Sequence, residues 1–329
     1  MRVAVSGYYG FGNLGDEALL AGLLGQLKEL GAEPLVLSGD PERTSAEHGV
    51  EAVHRYRNLL PALLRSDAVI SGGGGLLQDT TSSRSLDYYL TVLRLARALG
   101  RRRVVYGQSI GPLSAAGQRR VAGVLRNMPV AVRDQQSLDL LAGSGVEASL
   151  VADPALLLPA PEAAPPLTDV LLVPRAPYRH FSEALLAAGE EARSIGLSVG
   201  VMAIQPQEDE AETGFLLHGL HGAVHVPAAD WRQAIAATAA AGLVLSVRLH
   251  GLIFAAVADR PHAGLVYDPK VEGFLQRSGG LVFREPVDRL ALLGLVHARP
   301  AVDRERNDAL RDSARSGLSW LRQALGSGA

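Results

Sequence analysis

The feature that most limits what this chain can become is a repeated alternation. Short runs of aliphatic and β-branched residues are each followed by a glycine-rich or polar stretch, then by a longer segment of helical period. Candidate strands fall at 2–6, 33–38, 68–71, 103–106 and 129–132, with amphipathic segments at 17–30, 86–99 and 115–127 between them. The runs are apolar throughout instead of alternating, as in strands covered on both faces, which predicts a doubly wound parallel α/β sheet. Pro159, Pro161, Pro165 and Pro166 then interrupt an alanine-rich stretch with almost no charge, which suits a stiff connector better than a helix or central strand. The alternation resumes with candidate strands at 170–173, 197–203, 223–226, 243–247 and 263–266, and 302–325 reads as a closing helix. The predicted organisation is a Rossmann-like domain over 1–158, a linker over 159–166 and a second Rossmann-like domain over 167–329, the two facing across a cleft. A length of 329 residues fits two domains of about 150 each.

Charge and composition exclude several functions. Thirty-two basic residues against 34 acidic ones, spread evenly, indicate no broad polyanion-binding face, so nucleic acid is not an expected partner. With no cysteine there is no disulfide, thiolate metal site or cysteine nucleophile. The sequence runs from its first residues straight into a strand pattern, and no segment approaches about 20 uninterrupted apolar residues, so a cytoplasmic protein is expected.

In parallel α/β sheets ligands bind beyond the carboxyl ends of the strands, which directs attention to the residues after each run. In the first half these are GYYGFGNLGDEALL, SGGGGLLQD, YGQSIGP and VRDQQS; in the second, VPRAPY, VRLHGLIFA and VYDPKVEGF. Gly10, Gly12 and Gly15 satisfy G-x-G-x-x-G, but they begin too far past the strand for a dinucleotide fingerprint, whose first glycine makes the turn at the strand end. Asn13 and Asp16 stand at a helix start, where Asn is a good cap and Asp favours the positive end of the dipole. Gly72 to Gly75 remove every Cβ at a strand end, allowing close approach of an anion or a sugar hydroxyl, with Gln78 and Asp79 following. Arg133 emerges after a strand as a planar fork suited to phosphate or carboxylate, or as a structural partner of its neighbours. Arg248 and His250, one residue apart in an extended segment, would project the same way while Leu249 turns inward. Lys270 is one of only two lysines, with Lys28, among the 32 basic residues, and follows Asp268 and Pro269 after a strand. There is no HExxH, and His218 with His221 lack further ligands, so no metal is expected.

Taken in order, GYYGFGNLGDEA, SGGGGLLQD, GQSIGP, VRD, DPAL, RLHG and YDPK resemble the polysaccharide pyruvyl transferase family, most nearly its cell-wall branch, over residues from about 3 to 275. The resemblance implies two Rossmann-like domains in the GT-B arrangement. It also implies an activity that moves the enolpyruvyl unit of phosphoenolpyruvate onto a sugar as a cyclic ketal, releasing phosphate, with no nucleotide and no cofactor. The acceptor implied is a β-linked N-acetylmannosamine of a lipid-diphosphate-linked cell-wall precursor, ketalised at its 4- and 6-hydroxyls, and the modified glycan would serve S-layer anchoring. On this basis Arg133, Arg248, Leu249 and Lys270 are the expected phosphoenolpyruvate contacts, and His250 is the acid that protonates the methylene carbon. Asp16 is the group expected to orient or deprotonate the acceptor, and Asn13, Gly74 and Gln78 the acceptor contacts. A lipid-linked acceptor implies work at the inner membrane face, where Arg101, Arg102 and Arg103 are the candidate peripheral contact. Two other readings suit the same scaffold: a nucleotide-sugar glycosyltransferase and a non-catalytic glycan-binding protein.

Overall fold

A computed structural model describes residues 1–80, 83–161 and 167–326. The expected linker, 159–166, therefore lies outside the described residues from 162 onward. The chain divides into two compact units, one formed by Met1–Phe11, Leu19–Ala155 and Arg311–Ala329, the other by Gly12–Ala18 and Leu156–Leu310.

The first unit is built on β1 (Arg2–Ser6), β2 (Glu33–Ser38), β3 (Glu51–His54), β4 (Ala68–Gly72), β5 (Arg102–Gln108), β6 (Val130–Val132) and β7 (Ser149–Leu150). They form one seven-stranded sheet in the order β3-β2-β1-β4-β5-β6-β7, and every pairing is parallel. Its helices are α1 (Leu14–Glu29), α2 (Pro41–His48), α3 (Leu59–Leu64), α4 (Ser83–Ala98), α5 (Ala115–Leu125) and α6 (Gln135–Gly143). The central strands are buried on both faces: Val3, Ala4 and Val5 of β1 and Val69 and Ile70 of β4 expose nothing, which is why those runs show no alternation.

The second unit repeats the plan. β8 (Thr168–Val173), β9 (Val199–Val201), β10 (Val224–His225), β11 (Ala241–Ser246), β12 (His262–Leu265) and β13 (Leu281–Phe283) form a parallel six-stranded sheet in the order β10-β9-β8-β11-β12-β13. The helices are α7 (Arg179–Ser194), α8 (Pro206–Gly219), α9 (Trp231–Ala239), α10 (Leu249–Val257), α11 (Pro269–Ser278), α12 (Arg289–Ala298) and α13 (Arg304–Leu325). In each sheet the order reverses beside its first strand, so both are Rossmann-like, and the switch point lies at the carboxyl ends of β1 and β8. Side chains of Asp40, Ser114, Asp134, Asp230, Asp268 and Asp288 cap α2, α5, α6, α9, α11 and α12, accepting from backbone N–H groups two or three residues on.

Two segments depart from the sequence expectation. The closing helix, assigned to the second domain, joins the first unit from Arg311 onward. Trp320 stacks on Tyr106 at 5.8 Å and donates its indole N–H to Ser149, while Leu321 and Leu325 are fully buried in the core around β1, β4 and β5. Conversely, Gly12–Ala18, the lead into α1 and its first residues, groups with the second unit, where the Leu14 N–H donates to Ile204 O at 3.0 Å. Among the described residues no helix is long and apolar enough to cross a membrane.

Candidate functional site

In the second unit β11 ends at Ser246, and Arg248 is already the cap residue of α10. The expected extended segment through Arg248 and His250 is therefore absent, and alternation does not set their directions. The turn is closed by the Ser246 hydroxyl, which donates to Arg248 O at 2.7 Å, and His250 stands in the first helical turn.

The Arg248 guanidinium is held like a structural clamp. Its Nε and NH2 grip the two oxygens of Asp209, in α8, at 2.9 and 2.5 Å; NH1 donates to Gln205 at 3.2 Å, and Glu208 lies 3.4 Å away. Asp209 also accepts the backbone N–H groups of Ala176 and Gln205. Burial opposes the charge on Arg248, but the hydrogen bonds and charge of Asp209 outweigh it and hold the guanidinium above its ordinary value. Gln205 also accepts from Asn13 Nδ2 at 3.3 Å, so one polar chain links Asn13, Gln205, Arg248 and Asp209. Asn13 caps α1 as well, its Oδ1 accepting from Gly15 and Asp16 N–H at 3.0 and 3.4 Å, which leaves Asp16 buried in the first turn. The His250 ring lies against the backbone of Gly15 and beside Phe254. Asn13, Asp16, Arg248 and His250 are thus gathered in one place. Leu249, between the two polar residues, is buried.

Lys270 stands in the first turn of α11, where Asp268 accepts its backbone N–H at 3.0 Å and pairs with its ammonium at 3.1 Å. Tyr267 connects it to the group around Arg248. The Lys270 ammonium is 5.8 Å from the Tyr267 ring, and Tyr267 is close enough to Arg248 to act on its charge. The same ring carries the guanidinium of Arg175, 4.4 Å from its centroid, and the neighbouring Tyr178 ring, 4.9 Å from that of Tyr267, lies 5.8 Å from the guanidinium. Arg175 follows β8 at the switch point. Its Nε is buried without a hydrogen-bond partner, and no carboxylate pairs with it among the described residues. Sequence reasoning passed over Arg175, although VPRAPY is one of the strand-end stretches. The local signal was a cation in a segment without an acid.

The remaining expected residues lie in the first unit. Arg133 follows β6 and is buried, donating Nε to Ser109 at 2.8 Å and NH1 to Asp153 of the DPAL segment at 2.5 Å, so a carboxylate already matches its charge. Asp134 is the cap of α6 and not its partner. Gly74 sits after β4 with φ +76°, its carbonyl accepting from Ser109 N–H at 3.0 Å, while the Gly73 N–H donates to Tyr106 O. Gln78, half-buried, accepts from the N–H and hydroxyl of Thr80. The Ser114 hydroxyl and N–H both donate to Asp79, holding that carboxyl below the usual range.

Comparison with known proteins agrees with this architecture. The UDP-GlcNAc 2-epimerase of Methanocaldococcus jannaschii aligns over 100% of both chains with a TM-score of 0.66 and 11% identity. The Neisseria meningitidis UDP-GlcNAc 2-epimerase, solved with UDP-GlcNAc, aligns over 98% of this chain and all of its own at 0.64 and 10%. Anabaena HepE, solved with UDP-glucose, aligns over 99% and 98% at 0.64 and 12%. At such identities the likeness extends to the fold alone, two Rossmann-like domains of the GT-B type. No curated protein sequence matches the chain. The model of one sequence family does, from Asn13, the cap of α1, to Pro269, the first residue of α11, and so takes in every residue gathered above except Lys270. With residues 13–269 matched, the chain belongs to the polysaccharide pyruvyl transferase family and is a transferase.

Proposed function

We propose that the chain forms a cyclic pyruvate ketal on a sugar, taking the three-carbon unit from phosphoenolpyruvate and releasing phosphate. The observation that carries this reading is the pair of cations Arg175 and Lys270 at the Tyr267 ring, together with Arg248 and His250 at the start of α10. Phosphoenolpyruvate bears a carboxylate and a phosphate on adjacent groups, so its recognition calls for several cations within a few ångströms. Arg248, already neutralised by Asp209, contributes through its NH1 edge and by fixing the start of α10. Arg175, with no carboxylate of its own among the described residues, supplies the stronger attraction.

In the proposed reaction His250, protonated in the complex beside two anionic groups, gives its proton to the methylene carbon, and the adjacent carbon becomes oxocarbenium-like. A sugar hydroxyl adds there and loses its proton to Asp16. A second hydroxyl of the same sugar then displaces phosphate and closes the ketal, its proton leaving with the phosphate or the base. Asn13, Gly74 and Gln78 are the proposed acceptor contacts, and Arg133 a further donor contact. The acceptor proposed is a β-linked N-acetylmannosamine on a lipid diphosphate of cell-wall biosynthesis, with the 4- and 6-hydroxyls reacting.

Incubation with phosphoenolpyruvate and a panel of β-mannosaminide and galactoside acceptors, followed by weighing of the products, tests reaction and acceptor together. Phosphate release that requires acceptor, with an acceptor mass gain equal to the ketal, is the expected result. A nucleotide-sugar glycosyltransferase would instead be protected from unfolding by a nucleoside diphosphate and not by phosphoenolpyruvate.

A further inference from the structure

Five arginines of the first unit meet away from the strand ends that carry the family motifs. Arg94 and Arg97 of α4, Arg103 at the amino end of β5, and Arg119 and Arg120 of α5 line a hollow of about 310 Å³. Among the described residues the carboxylate paired with this group is Asp87, on Arg120; Arg94, Arg97, Arg103 and Arg119 have no ion pair. Such a concentration is a local excess of positive charge in a chain whose formal charge is −2. Arg94 and Arg97 are three apart on one helix face, a spacing at which like charges destabilise the helix. Burial, and then the charge of Arg97, push the Arg103 guanidinium below its ordinary value. Arg101 and Arg102 of the same run turn elsewhere, to the carbonyls of Leu64 and Leu325.

Gly123 lines the same hollow from within α5. A Cβ built there meets nothing within 4 Å, and its backbone is helical, so neither packing nor conformation demands glycine. Glycine in the middle of a helix is otherwise a poorer choice than alanine. Gly123 leaves this part of the arginine-lined wall without a side chain.

We propose that this hollow is an anion site, separate from the transferase centre, for a ligand carrying two or more phosphoryl groups. A single carboxylate would leave most of the four unmatched guanidinium groups uncompensated, whereas a diphosphate presents enough oxygens for several bidentate forks. The volume stands at the small end of ligand pockets, which suits a compact group better than an extended polyanion. A soluble diphosphate and the diphosphate headgroup of a lipid offer the same chemistry.

The test titrates sodium pyrophosphate into the full chain at low salt by calorimetry. Binding is expected to weaken by about tenfold or more in Arg97→Ala/Arg119→Ala, since the loss of even one charge-assisted hydrogen bond accounts for such a factor. It should also weaken in Gly123→Gln, which fills the space while removing no charge and raising helix propensity, and should fall with added sodium chloride. Lys270→Ala should bind pyrophosphate as the parent does, and Arg97→Ala/Arg119→Ala should retain phosphoenolpyruvate turnover. Sedimentation with phosphatidylcholine vesicles containing diacylglycerol pyrophosphate separates the sources. Retention lost in the double variant assigns the membrane headgroup; pyrophosphate binding without retention assigns a soluble ligand. Pyrophosphate binding that survives Arg97→Ala/Arg119→Ala, or that disappears in Lys270→Ala alone, overturns the proposal, as does the absence of both pyrophosphate binding and vesicle retention.

Discussion

The imidazole of His250 rests on the backbone of Gly15 so closely that a methyl group at position 15 would overlap Nδ1 and Cγ of the ring. Gly15 lies in the first turn of α1, where alanine would ordinarily be the better residue by about 0.5–1 kcal/mol. The ring reverses that preference. Gly15→Ala should destabilise by about 1–3 kcal/mol, the usual cost of overpacking, and displace the imidazole with loss of turnover. In Gly15→Ala/His250→Ala the overlap with the ring is gone but the Cβ of residue 250, 2.7 Å from the added methyl, remains, so stability should return only in part while turnover does not return. Thermal unfolding of the parent and the two variants checks the relationship. An unchanged melting temperature in Gly15→Ala would show that the contact does not fix the ring.

Asp209 and Arg248 form a buried bidentate pair, and removing one member leaves the other charge uncompensated. Asp209→Ala should therefore cost about 3–5 kcal/mol of unfolding free energy, while Asp209→Leu/Arg248→Met should cost markedly less, because no orphaned charge remains. Urea unfolding decides it: a double variant as unstable as the single one would mean that shape, not charge, sets the cost.

Arg175 should behave in the opposite way. Its guanidinium rests on Tyr267 and Tyr178 and has no ion pair among the described residues, so Arg175→Ala sacrifices only cation–π contacts of about 0.5–1 kcal/mol each. We expect a nearly unchanged melting temperature and a KM for phosphoenolpyruvate raised about tenfold or more, with Arg175→Lys intermediate because the fork is lost and the charge kept. Steady-state kinetics with unaltered KM in Arg175→Ala would remove it from the donor pocket.

The two doubly wound sheets were legible because their central strands are buried on both faces, and burial is written into the residues: 2–6 and 33–38 are strands from end to end. The strands that escaped notice are marginal ones. Glu51–His54 is half-exposed at a sheet edge, Ser149–Leu150 has two residues, and Leu281–Phe283 is a short edge strand, so none presents a long apolar run. The site was legible by residue type more than by geometry. No local signal marks where β11 gives way to α10, and that boundary, with Asp209 about forty positions away in the chain, decides where Arg248 points. The reassignment of Arg311–Ala329 was hidden for a similar reason: an amphipathic helix announces an apolar face but not which core receives it.

A pH dependence of stability follows from His262, at the start of β12. Its Nδ1 lies 2.9 Å from the Arg260 carbonyl, to which it must donate, which leaves Nε2, 2.8 Å from the Ser278 hydroxyl, to accept. Both ring nitrogens are therefore satisfied in the neutral form. Burial, against the smaller opposing effect of the Arg260 carbonyl, lowers the pKa from 6.5. Because the folded chain binds this proton less readily than the unfolded chain, the contribution of His262 is fully present above the unfolded value. It is lost as the pH falls from there through the folded value, with a slope of at most about 1.4 kcal/mol per pH unit. Urea midpoints taken from about pH 7.5 down to about pH 5.5 should fall more steeply for the parent than for His262→Asn, which carries no titrating group. Parallel curves for the two proteins would mean that His262 takes up its proton as easily inside the fold as outside it.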